Sequence, residues 1–248
     1  MQSRPAIAVG SLVLAFVLWL APSSAQAPPS AAEAQAAIDR SPRHGEWVSI
    51  ASPRAPVKSW VMYPERSDQA PVVMVIHPGA ALDDWTRAIA DRLAADGYIA
   101  IAPDLAPQFR VAELDAVRDY ALKIAAANGK VAALGFAHGG GKCLEYALAQ
   151  PALDAAIAIS PQTGPQIESA REGRVPMLGL YGAADTHAKD AIARASAALQ
   201  RRGMPFEHEV YENASADFLS EPDASAANEA AARMAWGRVL AFLGRHMQ

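Results

Sequence analysis

Val131-Ala132-Ala133-Leu134-Gly135-Phe136-Ala137-His138-Gly139-Gly140 runs from an apolar strand pattern through a glycine-flanked turn into a helical pattern. A Gly-x-Ser/Cys-x-Gly turn after a buried strand holds an exposed nucleophile in a strained conformation, and its glycines let neighbouring backbone approach. Here the central position is Ala137. A methyl group neither attacks a carbonyl nor donates a proton, so the turn has the shape of one chemistry without its reacting atom.

On either side of this turn, short apolar runs alternate with longer helical patterns, the signature of βα units around a mostly parallel sheet. Strands are predicted over Glu46–Ala51, Val57–Tyr63, Val72–His77, Tyr98–Ala102, Val131–Phe136, Asp154–Ile159, Val175–Tyr181 and Phe206–Tyr211. The first two form an antiparallel lead-in. Helices are predicted over Asp84–Ala95, Val111–Asn128, Gly140–Ala149, Ala188–Arg202 and Ala226–Arg245. Gly97, Gly129 and Gly203 fall just past helix ends, where a left-handed residue closes the helix. In such sheets ligands gather beyond the carboxyl ends of the strands, which directs attention to the loops there.

The N-terminus carries Arg4, an apolar run from Ala6 to Leu20, and then Ala21-Pro22-Ser23-Ser24-Ala25-Gln26-Ala27, the three-part plan of a secretory signal peptide. Roughly 15 apolar residues fall short of the ~20 needed to span a bilayer. Cleavage is expected after Ala25, since cutting after Ala27 would place the rigid ring of Pro28 just past the scissile bond. The expected organisation is therefore a signal peptide over 1–25, a Pro/Ala-rich tether over 26–44 and one α/β domain over 45–248, exported to a bacterial periplasm or secreted. The single cysteine, Cys143, excludes an internal disulfide. The formal charge of -4, one unit more negative without Arg4, argues against a nucleic-acid footprint or a basic membrane-binding surface. The expected partner is a small molecule, with no membrane contact after signal cleavage and any protein partner left open.

Four motifs taken in order carry a resemblance: Val73-Met74-Val75-Ile76-His77-Pro78-Gly79, Ala90-Asp91-Arg92-Leu93-Ala94-Ala95-Asp96-Gly97-Tyr98, Ala102-Pro103-Asp104-Leu105, and the Ala137 turn. Together they resemble the dienelactone hydrolase family of α/β-hydrolases. The resemblance implies an α/β-hydrolase fold, with a mostly parallel eight-stranded sheet flanked by helices on both faces. It also implies a Ser or Cys nucleophile, an acid after the seventh strand and a histidine after the eighth. Asp185, in Gly182-Ala183-Ala184-Asp185, matches the acid. The histidine loop reads Tyr211-Glu212-Asn213-Ala214-Ser215-Ala216-Asp217-Phe218, so Ala216 stands at the histidine position. No Ser, Thr or Cys lies between Ala132 and Lys142, and no His between Glu212 and Glu221, so a slip of register restores neither group. The backbone N–H groups of Gly79 and His138 match the family's oxyanion donors, while Pro78 replaces a glutamate common among relatives.

Other residues substitute poorly. Cys143 lies six residues beyond Ala137, about 9 Å along a helix, and reads as a buried core thiol. His208 lies on a strand up to ~26 Å from the histidine loop and belongs to the sheet. Ser160 ends the sixth strand and reads as an ordinary turn residue, its hydroxyl a poor nucleophile without an adjacent histidine. His77, His138, His187 and Asp185 fall at the same end of the sheet, but their spacing is no metal signature, and neither metal nor cofactor is assigned. Three functions remain: a non-catalytic protein binding a small carbonyl or carboxylate ligand, a carboxylic ester or lactone hydrolase using a non-standard site, or a protein-interaction module.

Overall fold

In the computed structural model, residues 26–105, 110–162, 174–183, 192, 196–197 and 199–248 are described. Eight strands form one sheet: β1 (Gly45–Ile50), β2 (Val57–Met62), β3 (Ala70–Ile76), β4 (Ile99–Pro103), β5 (Ala127–Phe136), β6 (Ala155–Ile159), β7 (Met177–Gly182) and β8 (Phe206–Tyr211). Their order is β1-β2-β4-β3-β5-β6-β7-β8. The pairs β1–β2 and β2–β4 are antiparallel and all others parallel, as the sequence pattern predicts.

Five helices are numbered here: α1 (Ala34–Arg40), α2 (Asp84–Ala95), α3 (Val111–Ala121), α4 (Ala137–Ala149) and α5 (Ala226–His246). Strand alternation divides the core into two layers. Leu134 and Phe136 of β5 meet Trp85 and Ile89 of α2 and Trp236 and Phe242 of α5 on one face. Val131 and Ala133 meet Leu114 of α3 and Cys143 and Tyr146 of α4 on the other. This is the α/β-hydrolase arrangement expected from the motifs.

Two expectations are corrected. The helix predicted to reach Asn128 stops at Ala121, and β5 begins at Ala127. Ala125–Ala127 has good helix propensity, but Ala70 donates its N–H to Ala126 O at 2.8 Å and Ala127 pairs with Ala70, so sheet pairing overrides propensity. The second concerns residues 26–44, read as a tether, which dock on the domain. Pro28 is buried, Ser30 is 3% exposed and α1 follows directly. The Trp85 indole donates to Pro29 O (3.2 Å), Ala31 N–H donates to Ser220 O (2.8 Å), and Arg43 donates from Nε and Nη2 to Asp91 (2.9 and 2.7 Å). Composition favours a linker here, but these few anchors suffice to hold it.

Candidate functional site at the carboxyl ends of the strands

The turn after β5 keeps the strained geometry its sequence suggests: Ala137 has φ +46°, in the left-handed region that costs a residue with a Cβ about 1–2 kcal/mol. Packing enforces it. A Cβ on Gly135 would lie 2.3 Å from Gly139 O, and one on Gly139 would lie 2.3 Å from His77 O. Only two bare glycines let α4 start this close to β5 and to the end of β3, and the chain must turn at Ala137 to do so. Phe136, the residue capping α4, offers no side-chain hydrogen bond, so no residue of the turn caps the first N–H groups of α4.

Beyond Ala137 lies a cavity of about 230 Å³. It is lined by Phe136 at the end of β5, Ala137 at the start of α4, Ile159 at the end of β6 and Ser160 just after it. Pro78, Asp83 and Trp85 close one side; Ala216, Asp217, Leu219 and Ser220 close another; Ala31 of the N-terminal segment completes the wall. Ala137 and Ala216, the positions matched to nucleophile and histidine, thus line one cavity. Trp85 is set by an edge-to-face contact with Phe136 (centroids 4.8 Å apart) and by its bond to Pro29 O. Asp83 is engaged as the cap of α2, accepting from Thr86 N–H at 2.7 Å.

The loop carrying Ala216 is held without any histidine. Asn228 of α5, 2% exposed, accepts from Ser215 N–H (2.9 Å) and donates to Ser215 Oγ and Glu221 O (3.0 Å each). Behind it, Gly182 at the end of β7 packs so closely that a Cβ there would meet Ser215 O at 2.0 Å.

The remaining candidates are placed as follows. Gly79 is exposed just after the pocket-lining Pro78, and His138 stands in the first turn of α4 with its ring Nε2 buried and unpartnered. His77 faces inward at 3% exposure, its Nε2 lying 3.1 Å from both the N–H and the carbonyl oxygen of Leu105, and burial pushes its pKa below the usual histidine range. Asp185 and His187 lie outside the described residues. Among the described residues, no three His, Cys, Asp or Glu side chains converge as a metal site. Cys143 is the core thiol expected, fully buried, with its pKa pushed up to about 12 by desolvation. His208 stays on β8, stacked on Phe206.

Ser160 departs from expectation. Far from an ordinary turn residue, it has φ +46°, matching Ala137, and its Oγ is buried with no hydrogen-bond partner. Sequence reasoning also missed Ala31, Trp85 and Asn228. For the first two the signal would have been the apolar residues Pro28 and Ala34 within a segment of linker composition; for Asn228 there was none.

Comparison with known proteins gives the same assignment. The family described as dienelactone hydrolase matches residues 57–108 and 107–247. A Salmonella typhimurium protein named "Putative carboxymethylenebutenolidase" is 28% identical over 242 residues, covering 80% of this chain and 86% of that one. One of the same name from Saccharolobus solfataricus is 26% identical over 247 residues, covering 77% and 95%. Among solved structures, a dienelactone hydrolase-like promiscuous phosphotriesterase from metagenomic libraries superposes with TM-score 0.73 at 20% identity, covering 83% of this chain and 99% of that one. The dienelactone hydrolase of Anabaena variabilis gives 0.66 at 18%, with the same coverages. At these identities the structural likeness speaks for the fold.

Proposed function

Because this chain belongs to the dienelactone hydrolase family, we propose that it is a non-hydrolytic member whose pocket binds a small carbonyl-bearing or anionic ligand. One observation carries the reading: Ala137 and Ala216, matched from the sequence to the family's nucleophile and base positions, both line one cavity. Loss of such members leaves only ~10³ to 10⁴-fold acceleration over water, from backbone donors and binding. The N–H groups of His138 and Gly79 serve in this reading as donors to a ligand oxygen. Asp185 is the retained acid.

The experiment is hydrolysis of a short-chain aryl ester and a simple lactone by the protein and by Ala137→Ser with Ala216→His. The proposal expects an inert parent and turnover in the double variant. Comparable turnover by the parent refutes it. A second reading, hydrolysis by non-standard groups, draws support from the unpartnered His138 Nε2 beside Ala137. Parent activity abolished by His138→Ala would establish that alternative.

We also read residues 1–25 as an export leader, with the mature chain in the periplasm or medium. N-terminal sequencing of protein recovered outside the cytoplasm should begin at Gln26; a start at Met1 refutes the assignment.

A further inference from the structure

β5 and β6 run parallel with Phe136 paired to Ile159, so the residues that follow them, Ala137 and Ser160, stand side by side at the strand ends. Both leave their strands at φ +46° and both line the cavity. The two turns are tied together, since Gln162 donates its N–H to Ala137 O at 3.1 Å. Ser160 N–H is spent on Leu180 O at 2.8 Å, which fixes its backbone, but its Oγ has no partner. A buried hydroxyl left unpaired and a non-glycine residue at positive φ are both unfavourable, and such features concentrate where a ligand supplies what the fold omits.

The lining also selects among ligands. It carries two carboxylates, Asp83 and Asp217, and no Lys or Arg among the described residues, which disfavours an anion. Trp85, Phe136, Ile159 and Leu219 supply apolar wall. A cavity of about 150 Å³ suffices for benzene, so about 230 Å³ takes one ring with a short substituent.

We propose that Ser160 is the ligand-anchoring residue of this pocket, donating its hydroxyl to the carbonyl oxygen of a small neutral ligand beside Ala137. The inference rests on the ligand-binding reading above and narrows it from carbonyl or carboxylate to neutral carbonyl. A serine hydroxyl re-aims by rotation about a single side-chain bond, so no backbone change is needed to meet the ligand.

Acetophenone and benzoate test this by calorimetric titration, since they share size and ring but differ in charge, and neither can be hydrolysed. The expected result is that acetophenone binds the parent at least tenfold more tightly than benzoate. Ser160→Ala and Ser160→Gly should each weaken acetophenone at least tenfold. Neither should lower the melting temperature of the unliganded protein, because each removes an unpaired hydroxyl and glycine also relieves the positive φ. A merely structural serine would show the reverse, with lower melting temperatures and unchanged binding. Equal binding of acetophenone to parent and Ser160→Ala overturns the role of Ser160, and preference for benzoate overturns the ligand class. If neither probe binds the parent, the ligand-binding reading fails together with this one.

Discussion

Asp91→Ala tests whether the N-terminal segment is part of the domain or a tether. Asp91, on α2, accepts from Ser41 Oγ and from both Nε and Nη2 of Arg43, and the two side chains are 10% and 17% exposed. Stranding one member of a fully buried pair costs about 3–5 kcal/mol; water still reaches Arg43, so about 2–3 kcal/mol is expected here. In a domain of this size 1 kcal/mol moves Tm by about 2–4 °C, giving a fall of about 4–12 °C by calorimetry. The gain in helix propensity from alanine is only a few tenths of a kcal/mol and does not hide this. Hydrogen exchange supplies the local readout: the Ala31 amide, bonded to Ser220 O, should lose protection ahead of the sheet. A loose tether would leave Tm within about 2 °C, the range of surface substitutions. That result, with the Ala31 amide unprotected in the parent as well, would refute the docked segment.

Three further outcomes are expected. Gly182→Ala should cost about 1–3 kcal/mol or more and shift the Ala216 loop, since its Cβ would meet Ser215 O at 2.0 Å and Ala214 O at 2.7 Å, both backbone; urea unfolding and acetophenone titration of the variant check both effects. Cys143, buried with its thiol pushed up to about 12, should be inert to a disulfide reagent at pH 8 and react once guanidinium unfolds the chain, because the thiolate is the reacting species. The pKa of His77 is lowered by burial, against the opposing pull of its hydrogen bond to the Leu105 backbone and of Asp104 and Asp83. Its contribution to stability is therefore complete above the ordinary value of 6.5 and is lost as pH falls below it, so the urea midpoint should be lower at pH 5 than at pH 7.5, with the difference reduced in His77→Gln.

The alternation of apolar runs made the sheet legible because the central parallel strands β3, β4, β6 and β7 are buried on both faces and read as nearly uninterrupted apolar stretches. Gly97, Gly129 and Gly203 all take the positive φ expected of them, although Gly129 lies within β5 rather than past a helix end. What escaped reading depended on contacts remote in sequence. Ala125–Ala127 left its helix to pair with Ala70; Pro28–Ala31 abandoned linker behaviour to meet Trp85 and Ser220. Asn228 holds the Ala216 loop from a helix that presents no local cue. At the site, Ala137 and Ala216 were legible because absence of a functional group needs no geometry. Ser160 was not, because its meaning lies in a backbone angle and an unpaired oxygen that only the fold creates.

The strained turn survives without the group it ordinarily presents, and the cause is architectural. Gly135 and Gly139 bring α4 against β5 and the end of β3, and that approach forces positive φ at Ala137 whatever side chain it bears. Strain at a turn therefore does not by itself argue for a nucleophile. The same holds for the Ala216 loop, which Asn228 and Gly182 position with no histidine to place. On the proposed reading, both reacting groups are absent at little structural cost, since Gly135, Gly139, Asn228 and Gly182 place the two turns. Between the two turns the fold forms a cavity and, at Ser160, leaves one hydroxyl unpaired.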